Sequence, residues 1–570
     1  MILLALLLAA DVAALSEKAE VALEAWDLAG AQAAVDQLLH EAPDAGETFF
    51  FRGRVLFEQG KYDEAVQAFD EAGQRELSPR GQARLAEEKR LAQAVAEETA
   101  GDDVHESEHF VLRTPKGKDA LLVPYALAAL ERAYAGLTQD LGIKLGAKIR
   151  VEVYESAKSL AHVSPLTVEQ IKTSGTIALC KYSRLMLTSP KALLRGYPWL
   201  DTVSHEFVHY LVTQKGRNSV PIWLQEGLAK FLETRWRGAP GLAVDDMSLQ
   251  LLQTAARKGT LIPFAKMHPS IAMLPSQEAA ALAFAEVEAA IRLLYTRGGQ
   301  AALTELVSAM ASGMTDEQAV AQAYGKSFAQ FEADWRVEVA KPRAKAGSAK
   351  NVRPAVARKV VFKEDAKGAA KDADTSLVPD AAKPMDAEAR RDARLGELLF
   401  ARHRWGAAAQ EYGKARARLP EEIPLIARRY AFAQIELGKF GEAEAALASA
   451  TLRDPEDEAA QVLYAHVLNK RAAFAQARVA LDQGIAEDPF DPQLHALYVE
   501  TARGLKDAKL EQQEQRALAL ASGAQVRDAP AHNGAQVKDP AHGAAAQAPI
   551  PIDFGDSDAG NRQEDKKNHE

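Results

Sequence analysis

The feature that most constrains the fold is a repeat with a period of 34 to 35 residues. Its units are aligned on four aromatic residues, Tyr62, Trp405, Phe440 and Phe474. In each unit an alanine stands three positions after the aromatic residue, a large residue seven positions after it, and a small residue ten positions after it. In chain order the four units have Ala65, Phe69, Ala72; Ala408, Tyr412, Ala415; Ala443, Leu447, Ala450; and Ala477, Leu481, Gly484. Small residues let two helices approach closely, and large ones fill the gap between them. The pattern therefore predicts stacked helical hairpins that bury a core only together.

This spacing is similar to that of tetratricopeptide (TPR) repeats, and Pro420, Pro455 and Pro489 close the three later units. The resemblance also covers Phe49–Arg75. We predict a degenerate unit at about Ala14–Ala42 and a closing helix pair at Gln493–Ala519. The resemblance implies all-α repeat blocks over residues 15–100 and 387–521 that bind a protein partner.

Between the two blocks, Ser204–Glu233 contains an H-E-x-x-H motif that begins at His205. Residues four apart share one face of a helix, so His205 and His209 can direct two imidazoles at one metal ion. Glu206 is placed to act on a water rather than to bind the metal. A hydrolytic zinc site needs a third protein ligand, and Glu226 follows after a turn.

The segment after the turn, WLQEGLA from Trp223, resembles the W-L-x-E-G-x-A pattern of gluzincin metallopeptidases. Residues 105–340 resemble the peptidase MA-like domain. The resemblance implies an α+β domain with one Zn²⁺ per chain, bound by His205, His209 and Glu226. It makes Glu206 the general base for hydrolysis of a peptide or protein substrate. The alternative is a solvated helix face that carries two histidines by coincidence.

The same region contains segments typical of strands, Phe110–Thr114 and Lys148–Tyr154, and a hairpin of Thr176–Leu179 with Arg184–Thr188. A helix over Leu200–Gln214 carries the histidines. In gluzincins a strand ahead of this helix forms the sheet edge along which an extended peptide pairs. We assign that role to Arg184–Thr188.

Supporting residues are less clearly marked by the sequence. A ligating histidine usually donates its second N–H to a carboxylate, for which Asp201 and Glu233 are candidates; Asp201 could equally cap its helix. In MA-like domains a tyrosine often stands near the start of a late helix, where this chain has Phe284. Tyr295 and His268 remain as candidates to stabilise the oxyanion, although core packing or a surface loop would explain them as well.

Composition limits the remaining possibilities. A chain of 570 residues should hold more than one domain, and 47% hydrophobic with 26% charged residues is normal for a soluble globular protein. The net charge of −10 argues against a nucleic-acid partner. Cys180 is the single cysteine, so an internal disulfide and a cysteine-based zinc site are excluded.

Residues 1–14 hold a short apolar run followed by small residues, which is typical of a signal peptide cleaved after Ala14. We therefore expect export to the periplasm or the cell exterior. A cytoplasmic location stays open because no Lys or Arg precedes the run. No other stretch reaches the length of a membrane span, so we expect no stable span in the mature chain.

Two further segments have the composition of unstructured chain. Residues 341–386 are rich in Ala, Lys, Asp and Pro and predict a flexible linker, apart from Val360-Val361-Phe362, which could dock on a neighbour. Residues 522–570 predict a disordered tail.

Two functions fit these observations. One is an exported zinc peptidase whose TPR repeats bind substrate or partner proteins. The other is a non-catalytic TPR scaffold that retains a peptidase-like core. The intact Glu206 favours the peptidase, and Phe284 favours the scaffold.

Overall fold

The computed structural model describes residues 2–238, 246–268, 270–341, 360–363, 385–419 and 422–523. The N-terminal block consists of paired helices and a longer closing helix: α1 Ile2–Glu24, α2 Leu28–Glu41, α3 Gly46–Glu58, α4 Tyr62–Gly73 and α5 Pro79–Thr99. The predicted repeat unit at Phe49–Arg75 corresponds to the α3–α4 hairpin. Its helices approach closely because Gly53 lies against the Phe69 ring, where an added Cβ would come within 2.7 Å. The predicted cleavage position, Ala14, lies inside α1.

The central region contains a five-stranded mixed sheet. Its strands are β1 Asp103–Glu106, β2 Phe110–Thr114, β3 Ile149–Tyr154, β4 Ala178–Lys181 and β5 Arg184–Thr188, in the order β1-β2-β3-β5-β4. Strands β2, β3 and β5 are parallel, and β1 and β4 run antiparallel at the two edges. The prediction that Arg184–Thr188 is the edge strand is therefore wrong. All five residues of β5 are buried, as expected for an interior strand, and the edge is β4.

Helices surround this sheet: α6 Val123–Leu141, α7 Ala157–His162, α8 Val168–Ser174, α9 Trp199–Gly216, α10 Ile222–Leu232, α11 Asp246–Lys258, α12 Gln277–Ala311, α13 Asp316–Tyr324 and α14 Phe328–Ala340. Helix α9 packs on the sheet through Phe207, whose ring lies 5.2 Å from that of Phe110. Helix α12 contains a kink at Gly299, where φ is +61°. Glycine adopts this left-handed angle readily because it has no side chain.

A buried polar network joins the N-terminal block to the sheet. The Tyr62 hydroxyl on α4 accepts hydrogen bonds from Arg150 (2.7 Å) and Arg184 (2.9 Å) and donates one to Glu152. Glu152 and Arg184 are 1% and 0% exposed, so these charges depend on each other and on the tyrosine for their partners. The N-terminal repeats are therefore held against the central region.

The C-terminal block is a further series of helical hairpins: α15 Ala387–Phe400, α16 Trp405–Arg418, α17 Pro424–Glu436, α18 Phe440–Arg453, α19 Glu458–Lys470, α20 Phe474–Glu487, α21 Pro492–Leu505 and α22 Ala508–Ala521. It also packs on the central region. The indole N–H of Trp199, at the start of α9, donates to the carbonyl of Ile485 (2.8 Å), and the N–H of Tyr197 donates to the carbonyl of Glu487 (3.0 Å).

The predicted linker, residues 341–386, therefore joins two regions that contact each other directly. Within the linker, Phe362 is 2% exposed and forms a β-bridge with Leu193, so the apolar exception does dock on a neighbour. Linker residues 342–359 and 364–384 lie outside the described residues, as does the predicted tail from residue 524 onward. No helix in the described parts of the chain has both the length and the apolar character needed to cross a membrane.

Candidate metal centre

Helices α9 and α10 form an antiparallel pair joined by a tight turn. Arg217 and Asn218 adopt left-handed backbone angles (φ +49° and +57°) that end α9, and Pro221 starts α10. The amide of Gln225 donates to the carbonyl of Val220 (2.9 Å) and fixes the turn against the second helix. This local geometry returns the chain so that Glu226, in the second turn of α10, faces the middle of α9.

The result is that His205, His209 and Glu226 converge. The Nε2 atoms of the two histidines are 3.2 Å apart, and each lies 3.3 Å from Oε2 of Glu226. The three side chains are between 12% and 17% exposed, so the cluster is shielded but open on one side. Within the described residues this is the one group of three His, Cys, Asp or Glu side chains that could hold a metal ion.

The spacing suits a tetrahedral ion. Zinc bonds to nitrogen and oxygen of about 2.0–2.1 Å, at tetrahedral angles, place neighbouring donor atoms about 3.3 Å apart. The observed triangle has edges of 3.2, 3.3 and 3.3 Å. The three atoms thus match three corners of a tetrahedron and leave the fourth corner for a water or substrate atom.

Electrostatics favour Glu226 as a donor. Burial opposes its charge, but the charge of His209 and hydrogen bonds from both histidines hold the pKa of Glu226 well below its usual range. Burial lowers the pKa of His205, yet hydrogen bonds with Glu226 and Glu233 outweigh this and raise it to about 10. An excess of acceptor groups therefore surrounds the histidines, and this environment attracts a cation.

Glu233 lies directly behind His205. Its Oε2 is 3.1 Å from Nδ1 of His205, and its Oε1 accepts a hydrogen bond from Nζ of Lys230 (2.6 Å). A carboxylate at Nδ1 fixes the ring orientation, which keeps Nε2 directed into the cluster. The structure thus places Glu233 where a supporting carboxylate is needed.

Glu206 lies beside the cluster on the sheet side. It is 6% exposed. Burial raises the pKa of its carboxyl group, and this effect is larger than that of the charges of His209 and His205, which lower the pKa. The backbone of Cys180 in β4 also forms a hydrogen bond with it. Glu206 therefore lies between the candidate metal ligands and the edge strand. No local pattern indicates this contact, because it depends on which strand lies at the edge of the sheet.

Both expectations for Asp201 are wrong. Asp201 neither contacts His205 nor caps α9; its carboxylate accepts hydrogen bonds from Trp236 (2.7 Å) and Arg237 (3.0 Å), and Pro198 occupies the cap position. Gly227, which follows Glu226, lies where α10 packs closely on α12. An added Cβ at Gly227 would lie 2.8 Å from the carbonyl oxygen of Val287.

The oxyanion candidates are not brought to the centre. Tyr295 packs on Phe231, with ring centroids 5.0 Å apart, and His268 is exposed after a short 3-10 turn at Phe264–Met267. Phe284 is the aromatic residue that borders the site, with its ring 6.3 Å from that of His205 and nearly perpendicular to it. The side of the site that faces α12 is therefore apolar at this point.

Comparison with known families agrees with this architecture. Residues 129–341 match the Peptidase MA superfamily, and residues 16–79 and 435–500 match tetratricopeptide repeats. No curated protein matches the chain. The chain therefore carries a Peptidase MA superfamily domain with TPR repeats flanking it at both ends.

Proposed function

We propose that this protein is a zinc-dependent peptidase of the gluzincin type, with His205, His209 and Glu226 as metal ligands and Glu206 as general base. The observation that carries the proposal is the near-equilateral triangle of donor atoms, whose edges of 3.2–3.3 Å fit a tetrahedral zinc ion. The domain match to the Peptidase MA superfamily supports it.

When bound, zinc supplies a Lewis acid for the scissile carbonyl and a water made acidic enough to react near neutral pH. Glu206 accepts the proton of the attacking water and passes it to the leaving amine. The raised pKa of its carboxyl group suits both steps, because a base with a pKa nearer the working pH also returns the proton readily. Glu233 holds His205 in the orientation that presents Nε2.

Strand β4 supplies the surface for an extended substrate. It pairs with β5 along one side only, so a peptide would add along its other side, where the backbone of Cys180 already bonds Glu206. Backbone pairing holds a substrate with little regard to its side chains. The hydrogen bond between Glu206 and the backbone of Cys180 puts the general base next to that strand.

The TPR repeats would bind the protein substrate or a partner, and residues 1–14 would direct export. The repeat assignments support the first of these roles. The second rests on the composition of the N-terminal segment alone.

The test combines metal analysis with hydrolysis of a quenched peptide library. Purified protein should contain about one zinc per chain, and H205A or H209A should lose it because each removes a ligand. Glu206→Gln should keep zinc and fold while hydrolysis falls by roughly 10²–10⁴-fold, since only proton transfer is removed. Wild-type zinc content in both histidine variants would refute the site.

The second candidate function is a non-catalytic scaffold. The observation that favours it is Phe284, an apolar side chain next to His205 where a tyrosine would be expected to stabilise the oxyanion. A zinc-loaded wild-type protein that cleaves no member of the library, and no unfolded protein, would support the scaffold. Activity abolished by E206Q would exclude it.

A further inference from the structure

A cavity of about 700 Å³ opens in the N-terminal repeat block, between α1, α3, α5 and the loop that joins α2 to α3. Its lining is mainly apolar and includes Phe50, Phe51, Ala42, Pro43 and Ala45. A cavity of this size accommodates one or two large side chains with their backbone. None of the residues that line it belongs to the candidate metal centre.

The charges in the wall of the cavity are already neutralised. Glu20 is 5% exposed and forms ion pairs with Arg54 (2.7 Å) and Arg84 (2.9 Å). Arg54 and Arg84 also lie over the Phe50 ring, each with its guanidinium carbon 5.9 Å from the centroid. These arginines are therefore not free to bind an acidic ligand.

The rim of the cavity is acidic. Glu41 and Asp44 line it, are exposed, and form no ion pair with any described residue; Glu17, also exposed, is 3.9 Å from Arg80. The shielded Ser16 hydroxyl in the wall has no hydrogen-bond partner among the described residues. An apolar interior, an unpaired hydroxyl and an acidic rim together fit a peptide segment with large apolar side chains flanked by Lys or Arg.

We propose that this cavity is an exosite for the protein substrate, which takes an apolar segment flanked by basic residues. This rests on the proposed peptidase function. The N-terminal block supports the assignment to substrate, because Tyr62 bonds it to Arg150 and Arg184 of the catalytic sheet. In addition, Phe57 of α3 packs on Tyr182, directly after edge strand β4. A segment held in the cavity is thus kept at a fixed offset from the metal centre.

The cavity does not depend on the predicted signal peptide. Val12 and Ala13 line it and precede the expected cleavage after Ala14, but Ser16, Glu41, Asp44 and the two phenylalanines lie beyond it. Cleavage would widen the cavity without removing its floor or its acidic rim.

The binding test uses the full chain carrying E206Q and three fluorescein-labelled peptides: a Leu-Phe-Leu core flanked by lysines, the same core flanked by glutamates, and a Ser-Gly-Ser core flanked by lysines. Fluorescence anisotropy should show the tightest binding for the first peptide. E41K/D44K should weaken that binding about fivefold, the effect of two exposed ion pairs, and about 1 M salt should remove the difference. S16F, which fills the cavity, should weaken it at least tenfold.

The matched control is D63K/E64K, which makes the same charge change on exposed positions of α4 away from the cavity. It should leave binding unchanged, and circular dichroism should show that every variant is folded. Equal binding of the lysine-flanked and glutamate-flanked peptides would overturn the proposal. So would binding of the first peptide that neither S16F nor E41K/D44K reduces.

The second measurement uses wild-type protein and a cleavable reporter with or without the lysine-flanked core attached. The core should lower KM at least fivefold with kcat unchanged, and S16F should abolish that gain while leaving cleavage of the plain reporter intact. If the core binds but KM does not change, the cavity is not an exosite. If it binds and neither reporter is cleaved, the peptidase proposal fails and the assignment of the cavity to substrate fails with it.

Discussion

The substitution Gly227→Ala tests whether the packing of α10 on α12 sets the metal site. An added Cβ at position 227 would lie 2.7 Å from Cγ1 of Ile291 and 2.8 Å from the carbonyl oxygen of Val287. The isoleucine side chain can rotate, but the carbonyl belongs to the backbone of α12. The two helices must therefore separate.

The size of that movement follows from the distances. Ordinary contact begins at 3.4 Å, so the helices must separate by about 0.6 Å (3.4 − 2.8). Metal sites tolerate changes in ligand position of about 0.2 Å. Because Glu226 is the neighbour of Gly227 on α10, we expect zinc affinity to fall about 10–100-fold, as it does when support of a ligand is lost.

Stability should change much less than zinc affinity. Alanine gains about 1 kcal/mol over glycine in helix propensity, and overpacking costs about 1–3 kcal/mol, so the net loss is about 0–2 kcal/mol. Gly406→Ala is the matched control, since this glycine also lies in a helix but has no atom within 4 Å of the added Cβ. Its stability should be equal to or slightly above that of wild type.

The assay is competition for zinc with a chromophoric chelator, accompanied by thermal unfolding of each protein. G227A should release zinc at a lower chelator concentration than wild type, and G406A should match wild type. Equal zinc affinity in G227A and wild type would refute the argument, because it would mean that α10 moves without displacing Glu226 or that Glu226 does not bind the metal.

Three further predictions concern support of the site, pH dependence and domain packing. E233Q should weaken zinc binding about 10–100-fold in the same competition assay, whereas D201N should not, since Asp201 bonds Trp236 rather than a ligand. Burial raises the pKa of Glu286 to about 8 from an ordinary value of 4.5, so the folded state binds its proton more tightly and the free energy of unfolding should fall as pH rises between these values. E286Q should remove this fall in the free energy of unfolding, which amounts to up to about 1.4 kcal/mol per pH unit. Urea titrations at pH 4 and pH 8 measure it. If the free energy of unfolding differs between E286Q and wild type by the same amount at both pH values, the prediction is wrong. A variant that ends at Lys341 should have a lower melting temperature than wild type. Trp199, which is 3% exposed and bonds to Ile485, would become exposed to solvent. An unchanged melting temperature would show that the C-terminal repeats add no stability.

Much of the candidate site follows from local sequence. Residues four apart on one helix share a face, so H-E-x-x-H alone predicts that His205 and His209 point the same way. A short turn between two helices makes them antiparallel neighbours, which brings Glu226 back to the histidines. The helical repeats were likewise predictable, because each hairpin contacts mainly the hairpins next to it in sequence.

The tertiary structure alone decided the order of the strands and the neighbours of the helices. Strands β4 and β5 form the predicted hairpin, but β4 is the edge only because β5 pairs with β3, whose residues lie 34 positions earlier in the chain (Arg150 pairs with Arg184). The partner of Asp201 is Trp236, and the close neighbour of Gly227 is Val287, both distant in sequence. The propensity and spacing of residues determine local structure over one or two helical turns. These contacts depend instead on how whole helices and strands pack on one another. For that reason the sequence predicts the convergence of the three candidate ligands, whereas the surfaces that surround them depend on the tertiary structure.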